Sequence, residues 1–218
     1  EAVDAAAAQM GWQEAVYDFD ELLERDDIGL IDINTPNNVH VPMAIKAAEA
    51  GKHIICEKPL AMSVEEAEAG LAAVKKAGVV HMLCHNYRRI PAVWMAKQMI
   101  DAGVLGELYH WRATYLQDWL MDPSAPLFWR TQKEVAGSGA LGDLMAHSID
   151  LALWIMGDIS RVSAAWKTFV KKRPKLVSTD GGLGGGGAEE LGDVTVDDAT
   201  LSLAEFSNGA IGSFEATR

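Results

Sequence analysis

Between residues 28 and 84 the chain alternates short apolar runs with longer amphipathic ones. Residues 28–34, 54–56 and 79–84 are rich in Ile, Val and Leu and each gives way to a polar turn, which predicts buried strands. Residues 39–50 and 63–77 carry helical patterns stopped by Gly51 and Gly78. Ser63 with Glu66 forms a capping box, and Gly78 is a C-terminal stop. An Ala-rich segment at 1–10, stopped by Gly11, and a short helix at 19–25 precede this series. Strands alternating with helices of this length predict parallel βαβ units with right-handed crossovers. The strand exits then fall along one edge, where open α/β sheets bind ligands. They are Asn34-Thr35-Pro36-Asn37-Asn38, Glu57-Lys58-Pro59 and His85-Asn86-Tyr87-Arg88.

After Pro91 the pattern changes. A helix at 92–102 ends at Gly103, an aromatic-rich strand follows at 107–117, and a loop runs to residue 128 before a helix at 139–156. Residues 160–170, 194–206 and 210–217 have the pattern of antiparallel strands, the last two joined as a hairpin through Asn208-Gly209. The expected architecture is α/β. It comprises a partial Rossmann-like parallel sheet over residues 1–90, then an α+β domain over 91–218 with a mostly antiparallel, open sheet.

Two positions stand out chemically. Lys58 leaves an apolar strand just before Pro59, which pushes it out of helical geometry and holds its ammonium at the strand tip. The segment from Ala140 to Met156 has no Lys, Arg or Glu and is therefore a mostly buried helix. On it Asp143, His147 and Asp150 stand at i, i+4 and i+7 and share one face. Two acids bracketing a histidine in an apolar setting predict a raised pKa, suited to a general acid or base.

Composition narrows the partners. With 49% hydrophobic and 23% charged residues the chain is an ordinary globular one. Its net charge of −12 argues against a nucleic-acid surface or an anionic membrane face and for a small-molecule partner. Cys56 and Cys84 build no disulfide framework, which favours the cytoplasm, and no apolar run approaches the ~20 residues of a membrane span. Gly182-Leu-Gly184-Gly-Gly-Gly187 matches G-x-G-x-x-G, but it follows Ser178-Thr179-Asp180 and not a strand, so it reads as a flexible connection. His81 and His85 face away from Cys84 on a strand, so no metal site is expected. Of Trp111, Trp119 and Trp129, all able to stack on a ring, Trp111 alternates as a core residue does, whereas Trp129 stands beside Arg130 just before the second helix.

Several motifs now line up in order: Thr35-Pro36-Asn37-x-x-His40, Gly51-Lys-His-x-x-Cys-Glu57-Lys58-Pro59, Asn86-Tyr-Arg88, Trp129-Arg130, Asp143-x-x-x-His147-x-x-Asp150, Val196-Asp197-Asp198 and Phe206-x-Asn208-Gly209. In this the chain resembles the glucose-fructose oxidoreductase/inositol dehydrogenase (Gfo/Idh/MocA) family over nearly its whole length. The resemblance implies a nicotinamide-dependent dehydrogenase whose active site is the cleft between the domains. Lys58 would polarise or deprotonate the reacting hydroxyl, His147 act as acid/base and Asp143 orient the substrate. Thr35, Pro36, Asn37, His40 and Glu57, with Lys58, would line NAD or NADP, and Arg88, Trp129 and Arg130 would lie near it. The implied substrate is a sugar, cyclitol or related polyol, and the open sheet is implied in homo-oligomer contacts. The family's opening strand, its Gly-rich turn and the C-terminal end of its second domain are not in this sequence, so the chain is expected to be an internal fragment. Met145-Ala146 stands where glycine is common, which predicts a reshaped substrate pocket. Two other readings stay open: a non-catalytic fold remnant or interaction module, and a redox-neutral nicotinamide-dependent glycosidase of the kind this family contains.

Overall fold

The computed structural model describes residues 2–176 and 187–218. All of the glycine-rich stretch at 182–187 except its last residue lies outside them.

Helices α1 (Ala2–Met10) and α2 (Phe19–Glu24) lead into strand β1 (Leu30–Ile33), helix α3 (His40–Glu49), strand β2 (His53–Cys56), helix α4 (Val64–Ala77) and strand β3 (His81–Leu83). The three strands form a parallel sheet in the order β1-β2-β3. Leu30 stands opposite His53, and Ile54 opposite His81. Ile31, Ile33, Ile54 and Cys56 bury themselves against Ala44, Ala47, Ala48 and Val74 of α3 and α4. Each large apolar side chain so buried is worth about 1.5–3 kcal/mol. Ser63 caps α4 as expected, with Glu66 N donating to Ser63 Oγ at 3.2 Å, while the Glu66 carboxylate reaches one residue past the cap and receives Met62 N at 2.9 Å. Gly78 ends the helix in the left-handed conformation, with φ of 68°.

The second half runs through helix α5 (Pro91–Asp101), strand β4 (His110–Leu116), the short helix α6 (Lys133–Ala136), a π-helical turn at Leu141–Met145 and helix α7 (Ala146–Met156). Strands β5 (Ile159–Lys167), β6 (Lys172–Leu176), β7 (Gly187–Asp193), β8 (Ala199–Phe206) and β9 (Ile211–Thr217) complete it. Four strands form one sheet in the order β4-β9-β8-β5. Its β5–β8 and β8–β9 pairs are antiparallel, whereas β4 lies parallel to β9, so the sheet is mixed. One face packs on the π-helical turn and α7, which together form the site helix, where Ala140, Leu144, Met145 and Ala152 meet Phe206 and Phe214.

Three sequence expectations change here. Residues 194–198 are not strand: Asp197 and Asp198 spend their carboxylates on backbone amides of other segments, so the ladder begins only at Ala199. The antiparallel β6–β7 pair is not signalled by the sequence, because its residues show no period-2 apolar alternation. Arg173 of β6 is instead fixed from outside, donating to Leu120 O at 2.6 Å and Asp122 O at 2.8 Å in the loop after β4. Met145 does not reshape the pocket, because its side chain is 1% exposed and packs into the core against the sheet.

Candidate active site

Lys58 stands directly after the exit of β2, and the Lys58–Pro59 peptide is cis. Its Nζ crosses to the second half, where it donates to Asp143 O at 2.8 Å and to Asp143 Oδ1 at 3.0 Å. The π-helical turn makes this possible. It sends Ala146 N–H back to Leu141 O across the widened turn and presents the Asp143 carbonyl to the lysine. Gly139, just before that turn, admits no side chain: a Cβ there would stand 1.8 Å from Asp197 O. Asp197 in turn receives Gly139 N at 2.6 Å and Leu141 N at 2.8 Å, so the start of the site helix is anchored by a carboxylate.

Two cavities meet at this pair. One, of about 520 Å³, is lined by Thr35, Pro36, Asn37, Glu57, Trp129 and Arg130 together with Lys58 and Asp143. The other, of about 490 Å³, is lined by Tyr115, Gln117, Trp119 and His147, again with Lys58, Arg130 and Asp143. In the first, Arg130 lies 4.2 Å from the Trp129 ring centre, and the buried Thr35 hydroxyl has no hydrogen-bond partner. An orphaned hydroxyl beside an aromatic ring and two cations suits a flat polar group such as a nicotinamide, so the residues present fit the nicotinamide half of that cofactor. Asn37 Nδ2 donates to Ala136 O at 2.9 Å and ties the two walls together.

His147 is buried, and its ring stacks on Tyr87 with centres 4.2 Å apart. His85 meets it edge-on at 6.1 Å. Burial, reinforced by the charges of Lys58 and His85, lowers its pKa to about 4. This reverses the sequence expectation. Desolvation outweighs the two acids, and Asp150 is engaged elsewhere, receiving Arg88 Nε at 2.7 Å and Arg88 Nη2 at 2.5 Å.

Most of the expected residues are brought together, but two are not. Arg88 is not in the cofactor-side cavity, since it is held by Asp150 and lies 5.5 Å from the Trp154 ring centre in a separate depression. His40 is fully buried, with Nδ1 2.8 Å from Pro59 O and Nε2 2.8 Å from Thr35 O. It buttresses the two loops and lines neither of the two cavities. Sequence reasoning missed Tyr115 and Arg218. Tyr115 shares the inward period of β4 with Trp111 and was findable from that alternation, whereas a single arginine after an apolar strand carries no local signal of burial. Among the described residues no group of three or more His, Cys, Asp or Glu side chains could hold a metal ion. No helix there is long and apolar enough to cross a membrane.

A parallel three-stranded segment is joined to a mixed sheet, and a lysine and an aspartate meet between them. Known proteins share this frame. Residues 1–85 match the family model described as oxidoreductase family, NAD-binding Rossmann fold, and residues 93–218 match the GFO/IDH/MocA C-terminal domain. The chain belongs to the Gfo/Idh/MocA family. It is 48% identical over 215 residues to levoglucosan dehydrogenase of Pseudarthrobacter phenanthrenivorans, covering 98% of this chain and 55% of that protein. It is 34% identical to the scyllo-inositol 2-dehydrogenase (NAD(+)) of Bacillus subtilis over 209 residues, covering 95% of this chain and 53% of that one. Among solved structures, levoglucosan dehydrogenase in complex with NADH and levoglucosan superposes with a TM-score of 0.90 at 46% identity, covering 99% of this chain and 55% of that one. The chain thus spans about half the length of the curated relatives it matches.

Proposed function

We propose that this chain carries the reacting half of a dehydrogenase that moves a hydride between a nicotinamide cofactor and a hydroxyl-bearing carbon of a sugar, cyclitol or related polyol. The observation that carries the reading is the Lys58–Asp143 pair at the meeting point of the two cavities. Relatives named as sugar and inositol dehydrogenases support it, and those solved with NADH favour NAD(H) over NADP(H).

Thr35, Pro36, Asn37, Glu57, Trp129 and Arg130 hold the nicotinamide side. When bound, that ring takes up or gives back the hydride. Lys58 polarises the reacting hydroxyl and takes or returns its proton. Asp143 orients Lys58 through Oδ1 and the substrate beside it. His147, neutral above about pH 4, enters as a hydrogen-bond or proton acceptor and not as a standing imidazolium. The two halves divide near Pro91, which leaves the site in the cleft between them.

The outer face of the mixed sheet supports self-association. Leu201, Leu203 and Ile211 lie exposed there. Two free cysteines, Cys56 and Cys84, fit a reducing, cytoplasmic setting.

The test titrates the complete protein with NAD(H) and NADP(H), then follows cofactor reduction over a panel of anhydrosugars, inositols and linear polyols. Saturable reduction with at least one of them is the expected result. Failure to bind either cofactor would overturn the reading, and sugar release without net reduction would transfer it to a glycosidase.

A further inference from the structure

Arg218, which follows β9, has a side chain with no exposed surface. Its backbone N donates to Asp198 O at 3.1 Å, and its Nη2 donates to Arg130 O at 3.0 Å. Nε and Nη1 have no hydrogen-bond partner. Nη1 stands 3.9 Å from Asp143 Oδ2, while Lys58 Nζ holds the other oxygen, Oδ1, at 3.0 Å. The guanidinium also lies 5.9 Å from the ring centre of Trp119, a wall of the substrate-side cavity.

A guanidinium buried with donors unspent is costly unless a nearby anion compensates it. Asp143 is that anion, with Asp197 and Asp198 adding to it, and burial pulls the Arg218 pKa down against them. Each oxygen of the Asp143 carboxylate therefore faces its own cation. Removing the arginine removes this charge from the Oδ2 side, which lets the carboxylate rotate to close on Lys58 through both oxygens and take the lysine out of reach of a substrate.

We propose that Arg218 is a positioning residue for this site: it holds Oδ2 of Asp143, so that Lys58 is oriented by Oδ1 alone and stays available to the reacting hydroxyl. The inference rests on the dehydrogenase reading and goes beyond it by placing a third charge in the machinery. It acts through charge on Asp143 and not through its bond to the Arg130 carbonyl.

Arg218→Gln keeps an N–H donor for that carbonyl and removes the charge, whereas Arg218→Lys keeps the charge. In steady-state kinetics of the complete protein, Arg218→Gln is expected to lower kcat on the order of 100-fold, the usual cost of misplacing a reacting group by about 1 Å. The dissociation constant for NADH should stay near the parent value, and Arg218→Lys should fall between parent and Gln variant. A double-mutant cycle with Asp143→Asn covers the case in which loss of the buried cation weakens the fold. A loss routed through Asp143 adds nothing in that background, whereas a purely structural loss adds in full. Equal activity of the Gln and Lys variants, or additivity in the cycle, would overturn the proposal. Lys58→Met is run alongside: if it alone leaves turnover intact, the dehydrogenase reading has failed and not merely the role of Arg218.

Discussion

Lys58 and Asp143 lie 85 positions apart in the chain and 3.0 Å apart in space. Each was legible singly, Lys58 from a strand that ends in a charged residue before proline and Asp143 from an apolar helix with one polar stripe. Their contact was not legible, because it depends on a widened turn at Leu141–Met145 that no periodicity announces. The acidity of His147 was misread for a related reason. The sequence shows which charges are near in the chain, but not that Arg88 takes up Asp150 or that Lys58 faces the imidazole. The low pKa has a consequence for stability. Against an ordinary value of 6.5, the folded state holds the His147 proton only below about 4. The unfolded chain therefore binds more protons between those values, so the contribution is complete above about pH 6.5 and is lost as pH falls towards 4, by about 3 kcal/mol. Urea titrations from pH 7 to 4 should show a shallower decline for His147→Gln than for the parent. Parallel declines would show that the histidine is not buried as described.

At the scale of elements, local signals were read well where local chemistry sets the structure. The Ser63 cap of α4 and the Gly78 stop form as expected, and β1 to β3 are parallel. The second sheet is mostly antiparallel as expected, with β4 parallel to β9. Local signals give out where partners far away in the chain decide, as in the β6–β7 pair, whose Arg173 is held by the loop at 120–125. The acidic pair after Val196 shows the same effect, since it reads as the start of a strand and in fact holds the site helix and the turn at Phe169–Val170. Asp197→Ala removes two charge-assisted bonds to the first turn of that helix and should cost about 2–4 kcal/mol. Gly139→Ala drives a methyl against the Asp197 carbonyl and should cost about 1–3 kcal/mol. Both are measured by thermal melts, and a Tm for either variant within a degree of the parent would contradict this anchoring.

For the whole molecule, the proposed reacting pair is assembled from two sheets with different grammars. The parallel sheet delivers strand exits to one edge, and the mixed sheet braces the helix that faces them. The other side of the mixed sheet presents Leu201, Leu203 and Ile211 to solvent. Leu203→Glu in the complete protein should shift the mass measured by light scattering towards the monomer, whereas an unchanged mass would remove this face as the interface. The most direct test of the central claim is the turnover of a responsive polyol by Lys58→Met, with NADH binding measured on the same preparation. A loss of at least about 100-fold in kcat with cofactor affinity retained is the predicted result. Turnover within a few-fold of the parent would contradict the account.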